Sequence, residues 1–227
     1  MKNNPLLDLL FPRLCVLCGR RLQEHESYLC LSCMQHLPKT NIHLKEENLM
    51  EQLFRGKADI ARTFAFFYTS SQDEYRNILH EIKYRGGKEC ARYLGDLYAR
   101  DLCESHSLDD MDVLVPVPLH PSRKRQRGYN QSEWIAKGIA DRTGLKIDTR
   151  HLIRSKATPS QTHLSIYDRW LNTQMIFKLL PGHDFTDKHL LLIDDIVTTG
   201  ATLLACAKTL EEAHPRAISL LTLSIAR

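Results

Sequence analysis

The chain has 227 residues, 43% of them hydrophobic and 26% charged, with a formal net charge of +4 at pH 7. That suits a soluble protein with one sizeable α/β domain and a small appendage, and no apolar run approaches the ~20 residues of a membrane span. So mild a positive charge does not by itself require nucleic acid; where the cations cluster matters more than their sum.

The N-terminal Leu6-Leu-Asp-Leu-Leu10 is a short apolar stretch broken by Asp8. It lacks the small-residue cleavage site of a signal peptide, and a short helix packed on the body is expected. Next come Cys15-Val-Leu-Cys18 and Cys30-Leu-Ser-Cys33, two tight knuckles that each offer two thiolates to a tetrahedral Zn²⁺. Gly19 can take the positive φ that follows such a knuckle. Two disulfides are the alternative, but they need an oxidising compartment; a structural zinc and a cytoplasmic location are the preferred reading. Four protein ligands leave no position for a substrate. Cys90, Cys103 and Cys206 fall in helical patterns and read as buried small apolar residues.

Residues 1–40 are thus expected as a zinc-ribbon appendage, 41–62 as a linker, and 63–227 as the main domain. Within that domain Thr63–Tyr68 reads as a strand, followed by a helix around Ile78 and Ile82 and another from Glu89 to Leu102. Val113–Leu119 is a buried strand ending at prolines, and Gln131–Thr143 is a helix. Leu152-Ile153 and Ile176–Leu180 are short strands, Leu190–Ile193 begins a strand covered on both faces, and Ala217–Ala226 closes the sheet. Alternating strands and helices predict an α/β fold with a doubly wound, mostly parallel sheet.

The most specific stretch is Leu190-Leu-Leu-Ile-Asp-Asp-Ile-Val-Thr-Thr-Gly-Ala-Thr-Leu203. A buried strand leads into two carboxylates and a glycine-containing loop, which opens a helix carrying Leu203, Ala207 and Leu210. Unpaired N–H groups and the positive dipole end at such a terminus suit a phosphate. Thr198, Thr199 and Thr202 add hydroxyls, and Gly200 lets the backbone approach the anion. Asp194 and Asp195 would repel a bare phosphate, but they can accept hydrogen bonds from sugar hydroxyls or hold a hydrated Mg²⁺. A ribose 5-phosphate has that layout.

Ligands of open α/β sheets sit at the carboxyl ends of the strands, so the residues after Val113–Val117 should face the same crevice. Arg123, Lys124, Arg125 and Arg127 then form a basic loop for pyrophosphate or nucleic acid. Lys83 and Arg85, beside Gly86-Gly87, offer two more cations, although a capped helix C-terminus looks the same. From Arg154 to Gln174 no periodicity is sustained. That segment carries Arg154, Thr158, Gln161, Thr162, Arg169 and Asn172, and one reading of it is a lid that keeps water from an activated sugar. A disordered connector is the alternative.

The Asp194–Thr202 segment resembles the signature of type I phosphoribosyltransferases, which bind 5-phosphoribosyl 1-pyrophosphate (PRPP). Two further blocks are the cysteine knuckles and the run Val115-Pro-Val-Pro-Leu119…Arg123-x-x-x-Arg127-Gly-Tyr-Asn-Gln131. Together the three resemble the ComF family, competence-associated relatives of the amidophosphoribosyltransferases, over nearly the whole chain. The resemblance implies a type I phosphoribosyltransferase-like fold behind a four-cysteine zinc ribbon. It places Asp194 and Asp195 on the ribose 2- and 3-hydroxyls, and Val197, Thr198, Thr199, Gly200, Ala201 and Thr202 around the 5-phosphate, with Mg²⁺ accompanying PRPP. The family's lid pattern falls on Arg154, Thr158, Gln161, Leu164, Arg169, Asn172 and Phe177, which favours the lid over the connector. A role in DNA uptake is implied as well, with single-stranded DNA and a protein of the uptake machinery as partners.

Thr198 stands where many purine-salvage transferases of this type carry an acid/base carboxylate, so turnover and acceptor remain open. A glutamine amidotransferase is not implied, because the zinc knuckle occupies the place of an N-terminal cysteine nucleophile and glutaminase domain. Three readings stand: a PRPP-binding transferase-like protein in DNA handling, a non-catalytic nucleic-acid-binding module, and a small-molecule phosphoribosyltransferase.

Overall fold

The computed structural model describes residues 12–45, 47–70, 72–84, 86–155 and 176–227. The N-terminal apolar stretch, Arg85, and Thr158, Gln161, Thr162, Leu164, Arg169 and Asn172 of the expected lid lie outside the described residues. The strands are β1 (Thr63–Thr69), β2 (Val113–Pro116), β3 (Lys146–Ile147), β4 (Leu152–Arg154), β5 (Phe177–Leu179), β6 (His189–Val197) and β7 (Ala217–Ala226). The helices are α1 (Leu31–Gln35), α2 (Leu49–Phe54), α3 (Arg76–Tyr84), α4 (Lys88–Glu104), α5 (Pro121–Arg127), α6 (Gln131–Thr143) and α7 (Ala201–Glu211).

Five strands make one parallel sheet in the order β1-β7-β6-β2-β3, and β4 pairs with β5 as a separate antiparallel ribbon. Leu190 to Ile193 of β6 are 0% exposed, as a doubly covered parallel strand requires. One core, carrying Leu191, Ile193 and Leu221, packs under α3, α4 and α6; the other, carrying Leu190, Leu192 and Leu220, packs under α2 and α7. Gly95 and Gly138 let α4 and α6 meet closely, since a Cβ on either would strike the facing backbone.

Three expectations need correction. The C-terminal strand does not close the sheet: β7 lies between β1 and β6, and its central residues are buried on both faces, as only an interior strand can be. β2 stops at Pro116 instead of running to Leu119, although Val117 N–H still donates to Ile193 O at 2.8 Å. The basic loop is a helix, α5. His120 Nδ1 caps it by accepting from Ser122 N–H, Pro121 occupies its first turn, and Gly128 ends it at φ +81°.

The 41–62 segment, expected as a linker, contributes Ile42, Met50 and Phe54 to the core beneath α7. The cysteine-rich segment likewise shares a core with the sheet, through Leu17, Leu22, Leu29 and Leu37. Cys90 and Cys206 are buried, whereas Cys103 is only half-buried. No helix among the described residues is long and apolar enough to cross a membrane.

Candidate phosphoribosyl site and zinc centre

β6 continues through both carboxylates to Val197, with Asp194 opposite Thr222 of β7. The loop that follows turns at Gly200, in the left-handed region at φ +76°, and α7 begins at Ala201. Phe54 of α2 packs against this turn so closely that a Cβ on Gly200 would lie 3.0 Å from the ring. A small cavity of about 40 Å³ opens among Asp194, Ile196 and the residues from Val197 to Leu203. Thr198, Thr199, Ala201 and Thr202 are exposed around it, at the end of β6 and the N-terminus of α7.

Each carboxylate is fixed by a different element. Asp194 Oδ1 accepts from Ser132 Oγ of α6 at 3.0 Å and from Asp195 N–H at 2.9 Å. Burial, then the adjacent Asp195 charge, raises the Asp194 carboxyl to about 7, against the pull of those hydrogen bonds and of Lys83. Asp195 Oδ2 meets Lys83 Nζ of α3 at 2.5 Å.

The Arg-Gly-Tyr-Asn-Gln run works as a set of ties. Tyr129 Oη donates to Ile82 O at 2.7 Å, anchoring the end of α3 beside the site. Asn130 Nδ2 donates to Val117 O at 3.0 Å, while its Oδ1 accepts from Ser132 N–H and caps α6. Ser132 was not singled out from the sequence; the Asn-x-Ser cap directly after Gly128 was the available signal. Arg123, Lys124 and Arg125 are exposed on α5, with Lys124 paired to Glu133 at 2.8 Å. Arg127 reaches back to Gln131 Oε1 at 3.0 Å.

Arg154, the first residue of the expected lid pattern, ends β4 and lies over the Phe177 ring at 5.5 Å. Burial and nearby Arg123 lower its guanidinium from the ordinary value, while Cys206 and Asp194 oppose the shift. It therefore belongs to the same charged neighbourhood as the acid pair. The ribbon β4–β5, extended by Ser155 N–H to Ile176 O at 2.8 Å, joins the two ends of the segment that carries the remaining pattern.

In the cysteine segment, the sulfurs of Cys15, Cys18, Cys30 and Cys33 all lie within 4.8 Å of one another, and Cys18 and Cys30 are 3.7 Å apart. Four sulfurs at about 2.3 Å from one zinc have edges of about 3.8 Å, so the set fits one tetrahedral ion. Burial works against ionising Cys15, yet backbone N–H groups of Cys18, Cys30 and Leu17 outweigh it and lower the thiol to about 7. Burial and the neighbouring sulfurs push Cys33 up. Buried Glu26 braces the second knuckle, accepting from Gln23 N–H at 2.8 Å and Leu31 N–H at 2.7 Å.

The double zinc ribbon domain family matches residues 6–43, and the phosphoribosyl transferase domain family matches residues 109–225. Among the described residues that ribbon holds one four-cysteine cluster. The DNA utilization protein YhgH of Salmonella typhimurium is 33% identical over 137 residues, which is 59% of this chain and 59% of that relative. Competence protein F of Haemophilus influenzae is 32% identical over 117 residues, 51% of each chain. Competence protein ComFC of Bacillus subtilis is 24% identical over 216 residues, 91% of this chain and 82% of the relative. Among solved structures, an allosteric regulatory enzyme of purine biosynthesis aligns at 21% identity over 58% of this chain and 25% of that one, with a TM-score of 0.41, too loose to argue from. The acid pair ahead of the α7 turn, the four-sulfur cluster and these matches agree: the chain belongs to the phosphoribosyl transferase domain family, in its ComF branch with an N-terminal zinc ribbon.

Proposed function

We propose that the chain binds PRPP at the end of β6 and handles single-stranded DNA in a competence-related process. One observation carries the reading: two buried carboxylates stand near the carboxyl end of β6, just ahead of a small cavity at the N-terminus of α7. Asp194 and Asp195 accept the ribose hydroxyls, and the Val197–Thr202 turn donates to the 5-phosphate. One oxygen of each already meets the protein, Asp194 Oδ1 facing Ser132 and the Asp195 N–H and Asp195 Oδ2 facing Lys83, which fits a Mg²⁺ that arrives on the pyrophosphate better than one held by the protein. When bound, Mg²⁺ would neutralise charge on the leaving pyrophosphate. Lys83, Arg123 and Arg154 supply fixed positive charge around the same crevice. The relatives named for DNA utilization and competence support the DNA role.

Calorimetry with PRPP and Mg²⁺ tests the site. Asp194→Ala combined with Asp195→Ala should abolish binding, and an unchanged affinity would discard the ribose assignment. A second reading, binding without turnover, is favoured by the neutral Thr198 at the position of the missing acid/base carboxylate. Incubation with labelled PRPP, with and without single-stranded DNA, separates the two. Pyrophosphate release establishes a transferase; bound but intact PRPP establishes a binding module.

A further inference from the structure

Tyr84 ends α3 one residue beyond the lysine that meets Asp195, and it is 63% exposed. It is the one aromatic among the large apolar side chains that the described residues leave open to solvent. The Arg127 guanidinium lies 5.3 Å from its ring centroid and the His80 ring 4.9 Å away. Along the same face of α3 runs a cavity of about 480 Å³, lined by Asp73, Arg76, His80, Lys83, Tyr84 and Ile196 among others. On α5, whose Arg127 reaches the Tyr84 ring, no carboxylate among the described residues pairs with Arg123, Arg125 or Arg127. A second aromatic, Trp134 of α6, carries Lys137 4.0 Å and Lys88 5.1 Å from its ring centroid.

Apart from its contacts with Arg127 and His80 the ring stands in solvent, and the tie between this end of α3 and the α5–α6 connection is made by Tyr129, just ahead of α6. Rings interleaved with cations suit a polymer that alternates planar bases with phosphates. A duplex hides its base faces in its own stack, whereas a single strand presents them. We propose that Tyr84 stacks against one base of a single-stranded nucleic acid whose phosphates lie along α5. This rests on the DNA-handling reading above and adds to it the atoms that meet a base.

The test measures binding of a fluorescent oligothymidine, the same strand with abasic spacers, and a duplex, to wild type, Tyr84→Leu and Tyr84→Trp. Circular dichroism and the urea midpoint should match wild type for both variants, because the ring is exposed. Tyr84→Leu should weaken the oligothymidine by about 5- to 150-fold, and Tyr84→Trp should keep wild-type affinity. The salt dependence of binding should not change in the leucine variant, since no cation is removed. The abasic strand should bind wild type and Tyr84→Leu alike. Equal affinity of wild type and Tyr84→Leu for oligothymidine, or wild type binding the duplex or abasic strand as tightly as oligothymidine, overturns the stacking role while leaving DNA contact intact. Absence of binding to every oligonucleotide overturns the DNA-handling reading itself, and the stacking role with it.

Discussion

Lys83 Nζ lies 2.5 Å from Asp195 Oδ2, so a cation expected at a phosphate sits on a carboxylate expected at a ribose. The Asp195 side chain is 5% exposed and Lys83 22%, so water reaches the pair from the lysine side only. Removing the lysine leaves a buried charge without its counter-ion. Lys83→Met should therefore lower unfolding stability by about 1–3 kcal/mol, measured by urea titration at neutral pH. An unchanged midpoint would show that the pair contributes nothing to the fold.

Asp194 gives the site a pH dependence of definite sign. Its carboxyl is raised by burial and by Asp195 to about 7, above the ordinary carboxylate value that the unfolded chain keeps. The native state thus holds this proton more tightly, and the stability it lends is complete at acid pH and lost as pH rises toward and through 7. Asp194→Asn keeps an acceptor for Ser132 and removes the ionisation. The stability of the variant minus that of wild type, from urea titrations, should grow from pH 5 to pH 8 by a few kcal/mol. A difference that stays constant over that range would mean that Asp194 does not titrate there.

Gly200 carries two separable constraints, a left-handed φ and the Phe54 ring 3.0 Å from where a Cβ would stand. Gly200→Ala should cost about 1–3 kcal/mol and weaken PRPP binding, because the turn that faces the phosphate must shift. Adding Phe54→Leu relieves the crowding but not the φ strain, so it should restore part of the PRPP affinity. Equal affinity of the single and double variants would assign the whole effect to the backbone.

Two of the four cysteines, Cys15 and Cys30, belong to the same core as Phe64 and Leu94, so the metal should stabilise more than its own knuckles. Metal analysis should find one zinc per chain, and a strong chelator should lower the melting temperature of the whole chain in one transition. Cys30→Ser should lose the metal. Two zincs per chain, or none with intact disulfides, would refute the assignment.

Legibility followed the range of the interaction. α6 and β7 were readable to the residue, because an amphipathic period and a long apolar run are local patterns. The acid pair and the turn were readable because strand, carboxylates, glycine and helix stand consecutively in the chain. Helix α5 has no buried residue and hence no apolar period, which hid it despite Pro121 and Gly128 at its ends. The contacts that hold the carboxylates were not readable. Ser132 and Asp194 are 62 residues apart, and they meet only because α6, in the crossover from β2 to β3, lies beside β6, which pairs with β2.

The structure also revises what the basic segment can deliver to DNA. Four clustered cations would give a logarithmic salt slope of about −3 on a single strand. Lys124, however, is paired with Glu133 at 2.8 Å, and a cation already neutralised releases little counter-ion from the DNA. Arg123, Arg125 and Arg127 remain, and they predict a slope of about −2, measured by titrating oligothymidine across a salt series. Glu133→Gln frees Lys124 and should steepen the slope toward about −3. Asp194→Ala, which touches none of these arginines, should leave the slope as it is. A flat response in wild type would exclude α5 from the DNA contact, while an unchanged slope in Glu133→Gln would show that Lys124 faces away from the strand.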